Sequence, residues 1–127
     1  MRCLLDTHTA LWLFNEYENL SAKARSIIEN KANTLYVSIV SAWEIAIKTS
    51  INKLEFEDGV EIFLSAVNNN PTKLINIPPQ SLKIVEKLEF IHRDPFDRLL
   101  IATAMAENMT IITADKYIQK YEVEWVF

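Results

Sequence analysis

Four acidic residues, Asp6, Glu44, Asp97 and Asp115, lie beside apolar segments at places where they could do chemistry together. Asp6 ends the apolar run "RCLLD", and Asp115 directly follows "MTIITA". Glu44 lies in the first turn expected for the helical stretch "SAWEIAIKTSINKL", and Asp97 in the first turn of "DPFDRLLIATAMAEN". Carboxylates within ~5 Å of one another repel, and desolvation adds to the cost. A hard divalent cation relieves it: Mg²⁺ or Mn²⁺ takes carboxylate oxygens and keeps several waters. Such a centre polarises a phosphoryl oxygen and lowers the pKa of bound water, the chemistry of phosphodiester hydrolysis.

Each acid also has a local explanation. "SAWE", Ser41 to Glu44, has the pattern of a capping box. In "DPFD", Asp94 is placed to cap, Pro95 to take the first helical position and Asp97 the third. Asp6 and Asp115 could each cap a helix as well. Capping explains every acid singly. It does not explain what happens when such helix starts converge.

Convergence depends on the elements. The sequence predicts strands at "RCLLD", "TLYVSIV", "KLINIP", "MTIITA" and "VEWVF". It predicts helices at "THTALWLFN", "LSAKARSIIENKA" with Ser21 as cap, "SAWEIAIKTSINKL", "DGVEIFLSAVNNN", "PQSLKIVEKLEF", "DPFDRLLIATAMAEN" and, shorter, "DKYIQKY". Asn108 stands where a glycine often ends a helix, and Asn tolerates the left-handed turn next best. Strands alternating with helices imply βαβ crossovers and a parallel sheet. Right-handed crossovers put helices on both faces. Strand ends and helix starts then share one edge, where open α/β folds bind ligands.

The bulk properties agree with an α/β enzyme. The chain has 127 residues, half of them hydrophobic, which suits one domain over 1–127 with a real core. No apolar run reaches a membrane span, and "MRCLLDTHTALWLF" is interrupted by Asp6 with no cleavage site after it. The single cysteine, Cys3, makes neither an intrachain disulfide nor a zinc cluster, so a reduced, cytoplasmic setting is expected. A net charge of −4 argues against binding nucleic acid through a broad basic surface. A bound metal ion could bring the missing positive charge.

"LLDTHTALW", "SAWEIAIK", "RDPFDRLLIATA" and "IITADKYIQKY" together resemble the acidic motifs of the PIN-domain family. They are most similar to the VapC-type toxins of bacterial toxin–antitoxin pairs, and the resemblance spans nearly the whole chain. It implies a PIN-like three-layer α/β/α fold with a central parallel sheet. It implies an endoribonuclease dependent on Mg²⁺ or Mn²⁺, with RNA as substrate, a cognate antitoxin as partner and a homodimer. Its metal-holding acids would fall on Asp6, Glu44, Asp97 and Asp115, with Asp6 and Asp97 holding the metal most directly.

Two other classes share parts of this pattern. A receiver-type signalling domain needs paired acids after the first strand and an acceptor Asp after a middle strand. Asp6 is alone, and "TLYVSIVSAWE" offers no such Asp. A non-catalytic α/β binding module would keep the acids as caps; metal titration separates it. Among the remaining residues, His8 and His92 lack metal-ligand spacing and read as structural or solvated. Thr7, Ser38, Ser41 and Thr113 could bind metal waters or carboxylates, or cap helices. Lys48, Arg93 and Arg98 could steer phosphates or be solvated. Trp12, Trp43 and Trp125 read as core or dimer contacts.

Overall fold

The computed structural model describes residues 1–53 and 59–127. Among these, the strands are β1 (Arg2–Leu5), β2 (Thr34–Ser38), β3 (Thr72–Ile75), β4 (Thr110–Ile112) and β5 (Trp125–Val126). The helices are α1 (Thr7–Asn15), α2 (Ala22–Glu29), α3 (Ile39–Ser50), α4 (Gly59–Asn69), α5 (Pro79–Lys87) and α6 (Pro95–Glu107). The strands form one sheet in the order β3-β2-β1-β4-β5, with every neighbouring pair parallel.

β1 is central, and its side chains divide the core. Cys3 and Leu5 pack on one face with Ala10, Ala24, Ala42, Ile45, Phe63 and Val67. Leu4 packs on the other with Val40, Leu100, Ile101, Ala104 and Ile118. Successive strand residues point to opposite faces, so a strand covered on both sides is apolar throughout. Burying each of Leu4 and Leu5 contributes about 1.5–3 kcal/mol. Together the two clusters make the expected three-layer α/β/α arrangement.

The chain adds β2 and β3 to one side of β1, then crosses to place β4 and β5 on the other. The β1/β4 boundary is therefore the switch point, where the carboxyl ends of the strands open a crevice.

Several local expectations hold. Ser21 caps α2 by accepting from the Ala24 N–H, and Asp94 caps α6 by accepting from Phe96 and Asp97. Asn108 adopts the left-handed conformation, φ 53°, past the end of α6. Cys3 is buried and unpaired. Among the described residues no helix is long and apolar enough to cross a membrane.

Others need correction. β2 stops at Ser38, whose hydroxyl accepts from the Val40 N–H, so Ser38 caps α3 and "SAWE" is no capping box. Ile39 and Val40 favour strands as β-branched residues, but burial of Val40 in the core outweighs that weak preference. Glu44 consequently lies in the second turn of α3. "DKYIQKY" forms only a single 3₁₀ turn at Ile118–Lys120, and an unpredicted one lies at Tyr17–Asn19. Trp43 and Trp125 are exposed and Trp12 half-buried, so the core reading fails for the first two. Leu54 and Asp58, assigned to the ends of the two helices flanking that stretch, lie outside the described residues.

Candidate active site

The site is built on the carboxyl ends of β1 and β4 and the starts of α1, α3 and α6. Asp6 follows β1 and caps α1: its Oδ1 accepts from the Thr9 N–H at 2.8 Å, and its Oδ2 accepts from the Thr113 hydroxyl after β4. The Asp6 N–H in turn donates to the Ile112 carbonyl at 3.3 Å. Burial pushes the Asp6 carboxyl above its ordinary range, against the pull of the Thr113 and Thr9 hydrogen bonds.

Glu44 reaches the same edge from α3. Its Oε1 accepts from the Thr7 hydroxyl at 2.8 Å, and its Oε2 pairs with Lys48 at 2.5 Å, one turn on. Thr7 has one hydroxyl hydrogen and gives it to Glu44, so Ser41 supplies the hydrogen of the 2.9 Å Thr7–Ser41 bond. Partial burial works against the Lys48 charge. The Glu44 hydrogen bond and the charges of Glu44, Asp94 and Asp97 outweigh it and raise the lysine pKa.

Asp97 projects from the first turn of α6 into the middle of these groups. Its pKa is pushed up to about 8, first by burial and then by the negative charges of Asp94, Glu44, Asp6 and Asp115. Among the described residues its carboxylate accepts no backbone or hydroxyl hydrogen bond; its close polar neighbour is His92 Nε2, 3.1 Å from Oδ2. It is the acid with most to gain from a cation.

Asp115 completes the cluster. Its Oδ1 accepts from the Tyr117 and Ile118 N–H groups, and its Oδ2 lies 3.1 Å from the same His92 Nε2. Burial pushes Asp115 up, but the His92 and backbone hydrogen bonds win and hold it below its ordinary range. Two acids a few ångströms apart are thus driven in opposite directions: burial and like charge raise Asp97, and hydrogen bonds lower Asp115. All four predicted acids lie at this edge; among the described residues the close group, with ligand-type atoms within 4.8 Å, is Asp97, Asp115 and His92, while Asp6 and Glu44 act on Asp97 through their charge.

The other residues divide sharply. Thr7, Ser41 and Thr113 hold the carboxylates, and Ser38 caps α3. His92, read from sequence as structural or solvated, joins Asp97 and Asp115; one ligand-type atom from each of the three falls within 4.8 Å of the others. Its position directly before "RDP" was the available signal. His8 is exposed and stays outside this triad. Arg98 turns inward instead of toward the edge where phosphate was expected. It is buried, donates to the Leu88, Glu89 and His92 carbonyls, and lies over the Phe90 ring at 3.8 Å. Arg93 is exposed.

The donor set suits a hard divalent cation: oxygen ligands of high negative charge, one of them short of hydrogen bonds. An all-parallel sheet with helices on both faces and clustered carboxylates over its switch point defines an α/β protein with an acidic centre. The PIN domain family model matches residues 3–124, and the chain belongs to the PIN domain family. It is 27% identical over 118 residues to Ribonuclease VapC22 of Mycobacterium tuberculosis, covering 93% of this chain and 90% of that protein. Its fold is similar to that in VapBC2 from Rickettsia felis bound to a promoter DNA fragment. That match has a TM-score of 0.75 and 17% identity, over 99% of this chain and 98% of that one. It is also similar to that in DNA-bound VapBC from Salmonella typhimurium, with a TM-score of 0.69 and 14% identity over 99% and 97%.

Proposed function

We propose that residues 1–127 act as one nuclease domain, a divalent-metal-dependent endoribonuclease that is the toxin of a toxin–antitoxin pair. The observation that carries this reading is the approach of Asp97 and Asp115, with His92, to within 4.8 Å at the switch point of a PIN fold, with Asp6 and Glu44 at the same edge. The ribonuclease name of the M. tuberculosis relative and the VapBC complexes among the fold relatives support the substrate class and the antitoxin. The reading also includes a cytoplasmic protein and a homodimer, which light scattering of the purified chain tests.

Asp97 and Asp6 would hold Mg²⁺ or Mn²⁺ most directly, with Asp115 and Glu44 completing the charge. When bound, the ion polarises a phosphoryl oxygen and activates water, so no covalent enzyme intermediate is needed. The chain's own residues prepare that centre. Thr113 and Thr9 fix both oxygens of Asp6, while leaving lone pairs free. Thr7 and Lys48 orient Glu44. Lys48 keeps a positive charge beside the carboxylates, adding to the cation's attraction for an RNA phosphate.

The test is cleavage of total RNA with and without Mn²⁺, by the parent and by Asp97→Asn. Cleavage that needs the metal and is lost in the variant is expected. Cleavage unaffected by chelator refutes the metal role. Co-purification with the product of an adjacent small gene tests the antitoxin; a complex with full RNA-cleaving activity counts against inhibition.

A further inference from the structure

The His92 ring is held from both sides. Its Nδ1 accepts the Asp94 N–H at 3.1 Å, and its Nε2 lies 3.1 Å from the Oδ2 atoms of both Asp97 and Asp115. A nitrogen that accepts an N–H bears no proton, so the ring proton of a neutral imidazole must sit on Nε2. That proton is placed to hydrogen-bond Asp115, with the Asp97 carboxylate close beside it. The ring also stacks at a tilt on Tyr117, with centroids 5.6 Å apart, and only 12% of the side chain is exposed.

We infer that His92 is a positioning residue, not a metal ligand: its Nε2–H holds the Asp115 carboxylate by a hydrogen bond beside Asp97 and so orients the pair for the cation. A ligating Nε2 would have to be bare. The neutral ring would then carry its proton on Nδ1, where it meets the Asp94 N–H head-on. The lock comes from backbone, so no change of the Asp94 side chain releases it. It also gives Asp97 and Asp115, on different elements, one shared neighbour. The outer partners of metal-binding carboxylates commonly act this way, fixing ligand orientation without touching the ion.

The inference rests on the metal reading of the site, but the two can fail separately. Long-range ¹H–¹⁵N correlation spectra of the labelled full chain at about pH 8, above the ordinary imidazole range, report the tautomer without metal and with saturating Mg²⁺. A bare Nδ1 and a protonated Nε2 are expected in both. A proton on Nδ1 in either state overturns the inference. Mn²⁺ dissociation constants are then compared for the parent, His92→Ala and His92→Gln. The alanine variant should bind about tenfold more weakly, with glutamine, which restores an N–H donor, recovering much of the loss. The His92 backbone bonds to Tyr121 and Arg98 survive both changes. Should either variant fail to fold, the tautomer measurement on the parent still decides. An alanine variant that binds Mn²⁺ like the parent overturns the role. A parent that binds no Mn²⁺ refutes the metal reading of the site, while the tautomer alone still decides how His92 holds Asp115 beside Asp97.

Discussion

At the scale of single residues, neighbours in one motif separate into different jobs. Asp94 accepts the Phe96 and Asp97 N–H groups at 2.8 and 3.1 Å, as an N-cap does, and Asn caps nearly as well as Asp. Asp94→Asn should therefore change stability by only a few tenths of a kcal/mol and keep much of the cleavage. Asp97→Asn should lower cleavage by more than about 100-fold, beyond the usual effect of an outer-shell partner, while the fold persists. Comparable cleavage by the parent and Asp97→Asn would return Asp97 to a helix-start role. The same residue predicts a pH dependence. Its folded pKa, about 8, lies above the unfolded value near 3.9. Between these limits the native state binds more protons, so stability falls as pH rises. The contribution is fully present below about pH 4 and lost by about pH 8 in metal-free protein. Melting temperatures across that window, at fixed ionic strength, should fall more steeply for the parent than for Asp97→Asn. Parallel curves would show that Asp97 is not desolvated as described.

At the scale of elements, the connection between α5 and α6 delivers His92 and Asp94 to the site, and the side chains of nearby Arg98 and distant Tyr121 hold it. The Tyr121 hydroxyl donates to the Glu89 carbonyl at 2.7 Å and accepts from the Ile91 and His92 N–H groups at 3.0 and 2.7 Å. Arg98 satisfies the Leu88, Glu89 and His92 carbonyls beside it. Tyr121→Phe leaves those N–H groups without a partner at about 1–3 kcal/mol, or roughly 3–6 °C of melting temperature per kcal/mol at this chain length. It should also weaken Mn²⁺ binding, because the His92 backbone is released. An unchanged melting curve would mean that water replaces the hydroxyl. This clamp is where reading the sequence stops. Asp94, Asn108 and Ser21 announce themselves, because a cap acts on the backbone two or three residues away. So do the alternating strands and helices, whose apolar patterns repeat locally. The Ser38 cap was hidden by Ile39 and Val40, which read equally well as the end of a strand. Tyr121 meets Arg98, His92 and Glu89 across 23, 29 and 32 residues of sequence through single polar contacts that leave no periodic trace. The placement of the four acids at one edge was legible through motif and topology, whereas the approach of His92 to two of them had only its position before "RDP" to signal it.

At the scale of the whole molecule, the sheet order forces carboxylates together and the fold bears the cost. β1 and β4 are neighbours, so Asp6 and Asp115 leave the same edge, and α6 returns Asp97 between them. Much of the repulsion exists only when the sheet is assembled. A cation that binds this edge thus favours the folded state over the unfolded chain. At about 100 times its dissociation constant, Mg²⁺ or Mn²⁺ should add about 2.7 kcal/mol of stability. The gain is itself tied to pH, since a carboxylate must lose its proton to ligate. With the Asp97 pKa at about 8 in the absence of metal, binding releases a proton across the neutral range, and apparent affinity should rise with pH up to that point. The metal-induced rise in melting temperature should therefore be larger at about pH 8 than at about pH 6. It should shrink, and lose most of its pH dependence, in Asp97→Asn. Thermal melts with Mg²⁺, Mn²⁺ and an inert salt at matched ionic strength separate specific binding from screening of exposed charge. An equal rise with the inert salt would reduce the edge to a set of screened helix caps.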